Sequence, residues 1–318
     1  MKTVAEFYEE IYPTLEKIEQ ERLSSLTKGN IIITVGVIIV VFIVIPMFIA
    51  MRDAGEFSSL FTLIIIIVFS GGSLLYRRQQ FSVKSTYKHE VISKIVEAVD
   101  SNFVYQPYGQ VVREYFNESR LFSKPDRYSG EDYISGRLGE TDFQLSEIHA
   151  EYKSGSDYED GSSSYSTIFK GFFMVADFHQ DFQGHTIVVP DNKAVGIWGR
   201  IQQAIKSQGM ETAEMEDVDF EDKFDVFTTD QEEARNILSM SMIENIVKLK
   251  EKFDSKIYIA FLNSCIYIAI EWKLNIFEPN LHSTLLDENT IHGFLDEIWM
   301  CLEIIEDLDL NKKIWTKA

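Results

Sequence analysis

Two stretches of twenty residues without a single charge constrain this chain more than anything else in it: "IIITVGVIIVVFIVIPMFIA" at 31–50 and "FSSLFTLIIIIVFSGGSLLY" at 57–76. At a rise of 1.5 Å per residue each makes a helix of about 30 Å, the thickness of a bilayer's hydrocarbon core. Burying two such helices inside a soluble protein needs a larger core than 318 residues supply. A cleaved signal peptide is not expected either, because the chain opens acidic (Glu6, Glu9, Glu10) and the first apolar stretch begins only near residue 30. The residues 52–56 between the stretches permit only a tight helical hairpin. Lys17, Arg22 and Lys28 precede it, and Arg77, Arg78, Lys84 and Lys88 follow it, against Arg52 alone in the connection. That asymmetry places both termini in the cytoplasm and the chain in the inner (cytoplasmic) membrane as a multi-pass protein. Cys265 and Cys301 then face a reducing compartment, so free thiols are expected.

Antiparallel pairing of the two spans sets Gly36 level with Gly71, in a small-residue setting that lets helices approach closely. Pro46 is expected to kink the first span. Neither span holds an ionisable residue, which argues for an anchor rather than an ion path or transporter. Helical stripes flank the spans: Val4, Tyr8, Ile11, Leu15 and Ile18 before, with Pro13 expected to bend that helix, and Val91, Ile92, Ile95, Val96 and Val99 after. The first helix is rich in Glu and the second in Lys, so the two are expected to pack as a cytoplasmic stalk. The domain reading is therefore 1–104 for the amphipathic helix, spans and stalk, and 105–318 for a cytoplasmic domain.

From about residue 130 the period becomes alternating. "DYISGRL" and "TDFQLSEIHAEYK" flank a Gly139–Glu140 turn and read as a β-hairpin. Residues 154–166 are a Ser-rich loop. "TIFKGFFMVADF" and "HTIVVPD" read as a further half-buried edge hairpin turning at Gly184, and 197–208 as a short helix. "DVDFEDKFDVFTT" reads as a strand with turn chemistry. Asp230 caps one helical stretch, "QEEARNILSMSMIENIVKLKEKF". "KIYIAFLNSCIYIAIEW" turns at Asn263–Ser264 as a two-residue hairpin, and a helix of roughly twenty residues follows Asp287. The fold class is α+β on an antiparallel sheet.

"EFYEEIYPTLEKIEQER" before two spans, "YSGEDYISGRLGETDFQLSEIHAEYK", "IFKGFFMVADF" with "GHTIVVPD", and "FEDKFDVFTTDQEEARNILSMSMIENIVKL" occur in order. Together they resemble bacterial proteins carrying the domain of unknown function 3137. The resemblance implies a bacterial membrane protein with a cytoplasmic domain, and it supplies no activity and no catalytic residues.

The candidate chemistry lies in "FFMVADFHQDFQGHTIVVPD", where Asp177, His179 and Asp181 alternate and His185 follows. On a strand the first three would share one face, about 7 Å apart, and carboxylate with imidazole suits zinc, manganese or iron. A metal-dependent hydrolase at Asp177, His179, Asp181 and His185 is the enzyme alternative. The opposing view makes these side chains the solvent side of a strand whose Phe178 and Phe182 take the buried side. His89 and His149 are isolated, and no phosphate-cradling glycine motif is present, so no cofactor is expected. Residues 101–318 carry 20 Lys and Arg against 39 Asp and Glu, 20 − 39 = −19. Such a face repels nucleic acid and anionic lipid, and fits a basic protein partner docking on "ETAEMEDVDFEDKFD". The expected partners are thus the lipid bilayer and another protein, with homo-oligomer formation left open. The expected role is a membrane-anchored interaction or scaffold module without a catalytic site.

Overall fold

The computed structural model describes residues 4–46, 58–154, 164–178, 181, 183–191, 209–272, 277–308 and 310. The chain divides into two compact units, Met1–Lys94 with Glu278–Gly293, and Ile95–Phe277 with Phe294–Ala318.

The first unit is built on two helices, α1 (Val4–Ile39) and α2 (Ser58–Tyr87), each continuing into a π-helical turn at Val40–Val44 and Lys88–Ile92. The first π-turn stands just before Pro46, whose missing N–H cannot hold a regular helical ladder. Along α1 the inward positions Ile11, Leu15, Ile18, Arg22, Ser25 and Gly29 recur at steps of three and four. A 3.5-residue period keeps one seam facing a neighbour. That neighbour is α2, running antiparallel: Lys17 meets Glu90 at 3.7 Å, Lys94 donates to Thr14 at 3.2 Å, and Ile32 stands opposite Gly72. The close approach occurs at Gly29, where an added Cβ would lie 2.6 Å from the Tyr76 ring. Gly71, expected at the seam, has nothing among the described residues within 4 Å of that position, because the heptad phase puts Gly72 there instead.

Among the described residues one helix, Ala5–Val44, is long and apolar enough to cross a membrane, and only 11% of its most apolar window is buried. Phe42 is 72% exposed and Leu74 of α2 69%.

Glu278–Gly293 returns to this helical pair. Arg22 forks onto Glu19 (2.8 and 2.6 Å) and donates to the carbonyl of Leu281 at 3.1 Å. Glu19 in turn accepts from Leu285 N–H at 3.0 Å, and Tyr8 donates to the carbonyl of Leu286 at 2.6 Å. The hydrogen bonds from Arg22 hold the Glu19 carboxyl below the usual glutamate range. Lys84 and Lys88 both pair with Glu278.

The second unit is an antiparallel sheet flanked by helices. Its elements are α3 (Ser93–Val99, shared with the first unit by its opening residues), β1 (Val104–Gln106), α4 (Arg113–Glu118), β2 (Arg127–Leu138), β3 (Thr141–Lys153), β4 (Tyr165–Asp177), β5 (Thr186–Pro190), β6 (Glu211–Ala213), α5 (Val218–Glu221), β7 (Phe224–Thr228), α6 (Gln231–Ile237), α7 (Met240–Phe253), β8 (Ile257–Leu262), β9 (Cys265–Glu271) and α8 (Glu288–Asp307, whose residues up to Gly293 belong to the first unit). The described strands order as β1-β2-β3-β4-β9-β8-β5-β7-β6. Mixed helix and antiparallel sheet is the architecture the alternation implies.

Both faces of the sheet centre are buried. On one, Phe116 stacks on Phe122 (centroids 5.4 Å), which meets Phe169 and Tyr258 at 5.0 Å each. Val175, Tyr267 and Ala269 join that cluster. On the other, Leu145, Met174, Ile259, Ile266 and Ile268 are equally buried. Each such side chain contributes about 1.5–3 kcal/mol.

The hairpins at Gly139–Glu140 and Asn263–Ser264 form as their turn residues direct, Asn263 and Ser264 adopting φ of 53° and 61°. Asp230 caps α6 through the N–H groups of Glu232 and Glu233. The stretch after it is two helices rather than one, because Ser239 supplies a second cap to Met242 N–H. The pairing expected of the strands "TIFKGFFMVADF" and "HTIVVPD" is overturned. β4 pairs with β3 and β9, and β5 with β8 and β7, so neither is an edge and they do not form a hairpin. The β8–β9 hairpin stands between them. The expected helix at 197–208 and most of the Ser-rich loop lie outside the described residues.

Candidate functional site

Four residues were candidates: Asp177, His179, Asp181 and His185. Asp177 is the last residue of β4, half-buried, opposite Cys265 of β9. The ladder runs out one residue later, where Phe178 N–H donates to the carbonyl of Ser264, a residue of the β8–β9 turn, at 2.9 Å. Phe178 is buried as expected, edge-on to Phe261 at 5.3 Å. His179 and Phe182 lie outside the described residues. Asp181 is exposed in the following loop, and its carboxylate accepts from Ser264 Oγ at 2.6 Å. The continuous strand that would align Asp177 with Asp181 is therefore absent.

His185 corrects a second expectation. It is 2% exposed, not on a solvent face. Its backbone N–H donates to Thr229 Oγ1 at 2.8 Å, and its carbonyl accepts from Thr229 N–H at 3.0 Å. Thr186 and Thr228 pair their hydroxyls beside it at 2.9 Å. Among the described residues no group of three or more His, Cys, Asp or Glu is placed to hold a metal.

What the sequence reading missed is the carboxylate that shapes this loop. Glu233 accepts Gln183 N–H on one oxygen and Gly184 N–H on the other, both at 2.8 Å. It stands three residues after the Asp230 cap, where a capping-box glutamate reaches back to its own helix. Here it reaches across to the loop before β5 instead. Asp230 with Glu233 was the available signal. Local pattern gives no hint of the distant acceptor's target.

Elsewhere on the unit, Tyr133, Ser135, Arg137, Asp142 and Gln144 line an open groove of about 800 Å³ at the tip of β2–β3, where Arg137 and Asp142 pair at 2.6 Å. Asp132 nearby is buried in a β-bulge at φ 58°, bonded to the Tyr105 hydroxyl, and its N–H donates to the Pro107 carbonyl at 3.0 Å. Burial pushes the thiol of Cys301 well above the ordinary cysteine range, with Glu297 and Glu147 adding to it, so its thiolate is disfavoured.

No curated protein matches the chain. The crystal structure of the mycobacterial trehalose monomycolate transport factor A, TtfA, is similar over 66% of this chain and 95% of its own, at 7% identity and a TM-score of 0.35, a likeness too slight to carry an argument. The family match covers the sheet from β4 onward and leaves out the N-terminal helices: residues 167–310 match the family described as "Protein of unknown function (DUF3137)".

Proposed function

We propose that this chain is a membrane-anchored interaction module: two helices hold it in a bacterial inner membrane, and its acidic sheet unit, cytoplasmic with both termini, docks another protein. One observation carries the anchor. Ile31, Ile33, Val37, Phe42, Ile43, Ile66, Ile67 and Leu74 are all about half exposed or more, on a scale that monomeric soluble proteins do not tolerate. Three described polar side chains among them are already satisfied without water. Thr34 donates to Asn30 O at 2.8 Å, Ser70 to Ile67 O at 3.3 Å, and Ser73 to Ser70 O at 3.0 Å. Hydrocarbon demands that economy of a helix. The basic residues outnumber their counterparts across the spans by seven to one, which orients both ends inward.

For the partner, support comes from charge: a net of −19 over residues 101–318 repels nucleic acid and anionic lipid and attracts a basic protein surface. The experiment is two-part. A reporter fused after Ala318 is expected to be active only when it reads the cytoplasm, and activity outside overturns the orientation. Chemical cross-linking in native membranes is expected to capture a basic protein through the sheet unit. Recovery of nothing but uncross-linked chain overturns the docking role.

A further inference from the structure

Of the seven basic residues that flank the apolar stretches, the helical pair answers four itself. Lys17 meets Glu90 at 3.7 Å, Arg22 meets Glu19 at 2.6 Å, and Lys84 and Lys88 share Glu278. Lys28, Arg77 and Arg78 are left. Each is exposed, and none has a carboxylate partner among the described residues. The sequence keeps them so, because residues 22–52 and 57–89 contain no Asp or Glu.

The unmatched three share one depth. Gly29 of α1 lies against the Tyr76 ring of α2, and Lys28, Arg77 and Arg78 stand within two residues of that contact. Lys28 precedes the first apolar stretch by three residues, and Arg77 and Arg78 follow the second directly. Three residues of helix rise about 4.5 Å, inside the headgroup layer of roughly 5–7 Å that flanks the hydrocarbon. The matched cations lie beyond that layer: even Lys84 is about 12 Å of helix past Tyr76. The protein thus neutralises its cations where water is and leaves them open where phosphate is.

We propose that Lys28, Arg77 and Arg78 form a collar that gathers anionic phospholipid around the helical pair, each cation taking the headgroup on its own side. The inference rests on the membrane anchor proposed above. Guanidinium groups present paired N–H donors that match phosphate oxygens, and an ammonium acts there as a point charge. Phosphatidylethanolamine carries its own cation beside its phosphate. Phosphatidylglycerol carries none, so its charge is left for the collar to answer. A basic residue near an anionic surface favours binding by about fivefold.

The full chain, placed in vesicles of equal phosphatidylglycerol and phosphatidylethanolamine and extracted in mild detergent, tests this through the lipid it retains. Phosphatidylglycerol is expected to exceed phosphatidylethanolamine by about fivefold at low salt, and the excess to vanish in 1 M NaCl, where charges are screened within about 3 Å. The triple variant Lys28→Gln/Arg77→Gln/Arg78→Gln is expected to retain the two lipids equally. The double variant Lys17→Gln/Lys94→Gln removes cations beyond the headgroup layer and is expected to keep the wild-type preference. Equal retention by wild type overturns the collar. So does a preference that persists in 1 M NaCl, survives the triple variant or is lost in the double variant. Alkaline carbonate extraction of the wild type separates the two readings. A chain released from membranes overturns the anchor and the collar together, whereas one retained without lipid preference overturns the collar alone.

Discussion

The ammonium of Lys88 is nearly inaccessible to water and lies 3.0 Å from the carboxylate of Glu278, on the segment that returns to the helical pair late in the chain. Lys84 reaches the same carboxylate from one turn away. Removing the shared anion strands a buried cation, which costs about 3–5 kcal/mol. Glu278→Leu is therefore expected to destabilise the full chain by that order in denaturant unfolding. Lys88→Met leaves Glu278 with Lys84 and should cost much less. The double variant Lys88→Met/Glu278→Leu should recover most of the loss, and a double variant as unstable as Glu278→Leu alone refutes the pairing argument.

Two half-buried glutamates should respond to pH in opposite senses. Burial alone would raise Glu278, yet Lys84 and Lys88 hold its carboxyl below the usual range. Its contribution is present above the unfolded-state value and disappears as pH falls through the folded one. Glu297 is raised by burial, partly offset by the N–H of Phe277 at 3.3 Å. Its contribution is present in acid and is lost as pH rises through the folded value. Glu297→Gln is thus expected to raise the melting temperature at neutral pH, with a gain that shrinks in acid. Thermal melts across pH 3–8 check both signs.

Gly171 of β4 sits directly against the backbone of β9. A Cβ there would stand 2.1 Å from the carbonyl of Ile270 and 2.6 Å from Trp272 N. Backbone cannot yield as a flexible side chain does, so Gly171→Ala is expected to cost about 3 kcal/mol or more. Gly209 is the control: its φ is 70°, but among the described residues nothing lies within 4 Å, so Gly209→Ala should cost only the left-handed penalty of about 1–2 kcal/mol. Urea titration of the two variants should separate them.

At the loop before β5, Glu233→Ala removes the acceptor of two N–H groups and is expected to cost about 1–3 kcal/mol. His185→Gln alters a buried ring and should cost a similar amount. Asp181→Asn, exposed and still able to accept from Ser264, should stay within about 0.5 kcal/mol of wild type. Denaturant midpoints of the three order these roles, and an Asp181→Asn loss matching the others would give that carboxylate a buried partner it does not show.

The sequence was most legible where a local rule decides the outcome. Asn263–Ser264 forces a hairpin, Asp230 a helix start, and the residue after Asp287 opens a helix of 20 residues. It was least legible where partners are remote. The runs "GFFMVA" and "TIVVP" are buried on both faces, and a strand with two apolar faces carries no alternation to say which neighbour it takes. That is why β4 and β5 read as a hairpin when β8–β9 divides them. The wet face assigned to His185 fell with that hairpin. Likewise nothing in "EPNLHSTLLDE" announces that Leu281 and Leu285 offer backbone atoms to Arg22 and Glu19.

The placement of β8 and β9 between β4 and β5 also sets a timetable. A ribosome releases β1 through β7 before the strands that belong at the middle of the sheet, and domains otherwise tend to fold as they emerge. Until Glu271 is out, β4 and β5 each expose one unsatisfied row of backbone groups, the template on which strands of other chains add. A nascent or truncated chain ending before Ile257 is thus a poor survivor, prone to aggregation and open to proteolysis. The arrival of fifteen late residues, Ile257–Glu271, acts as the checkpoint that seals both rows at once.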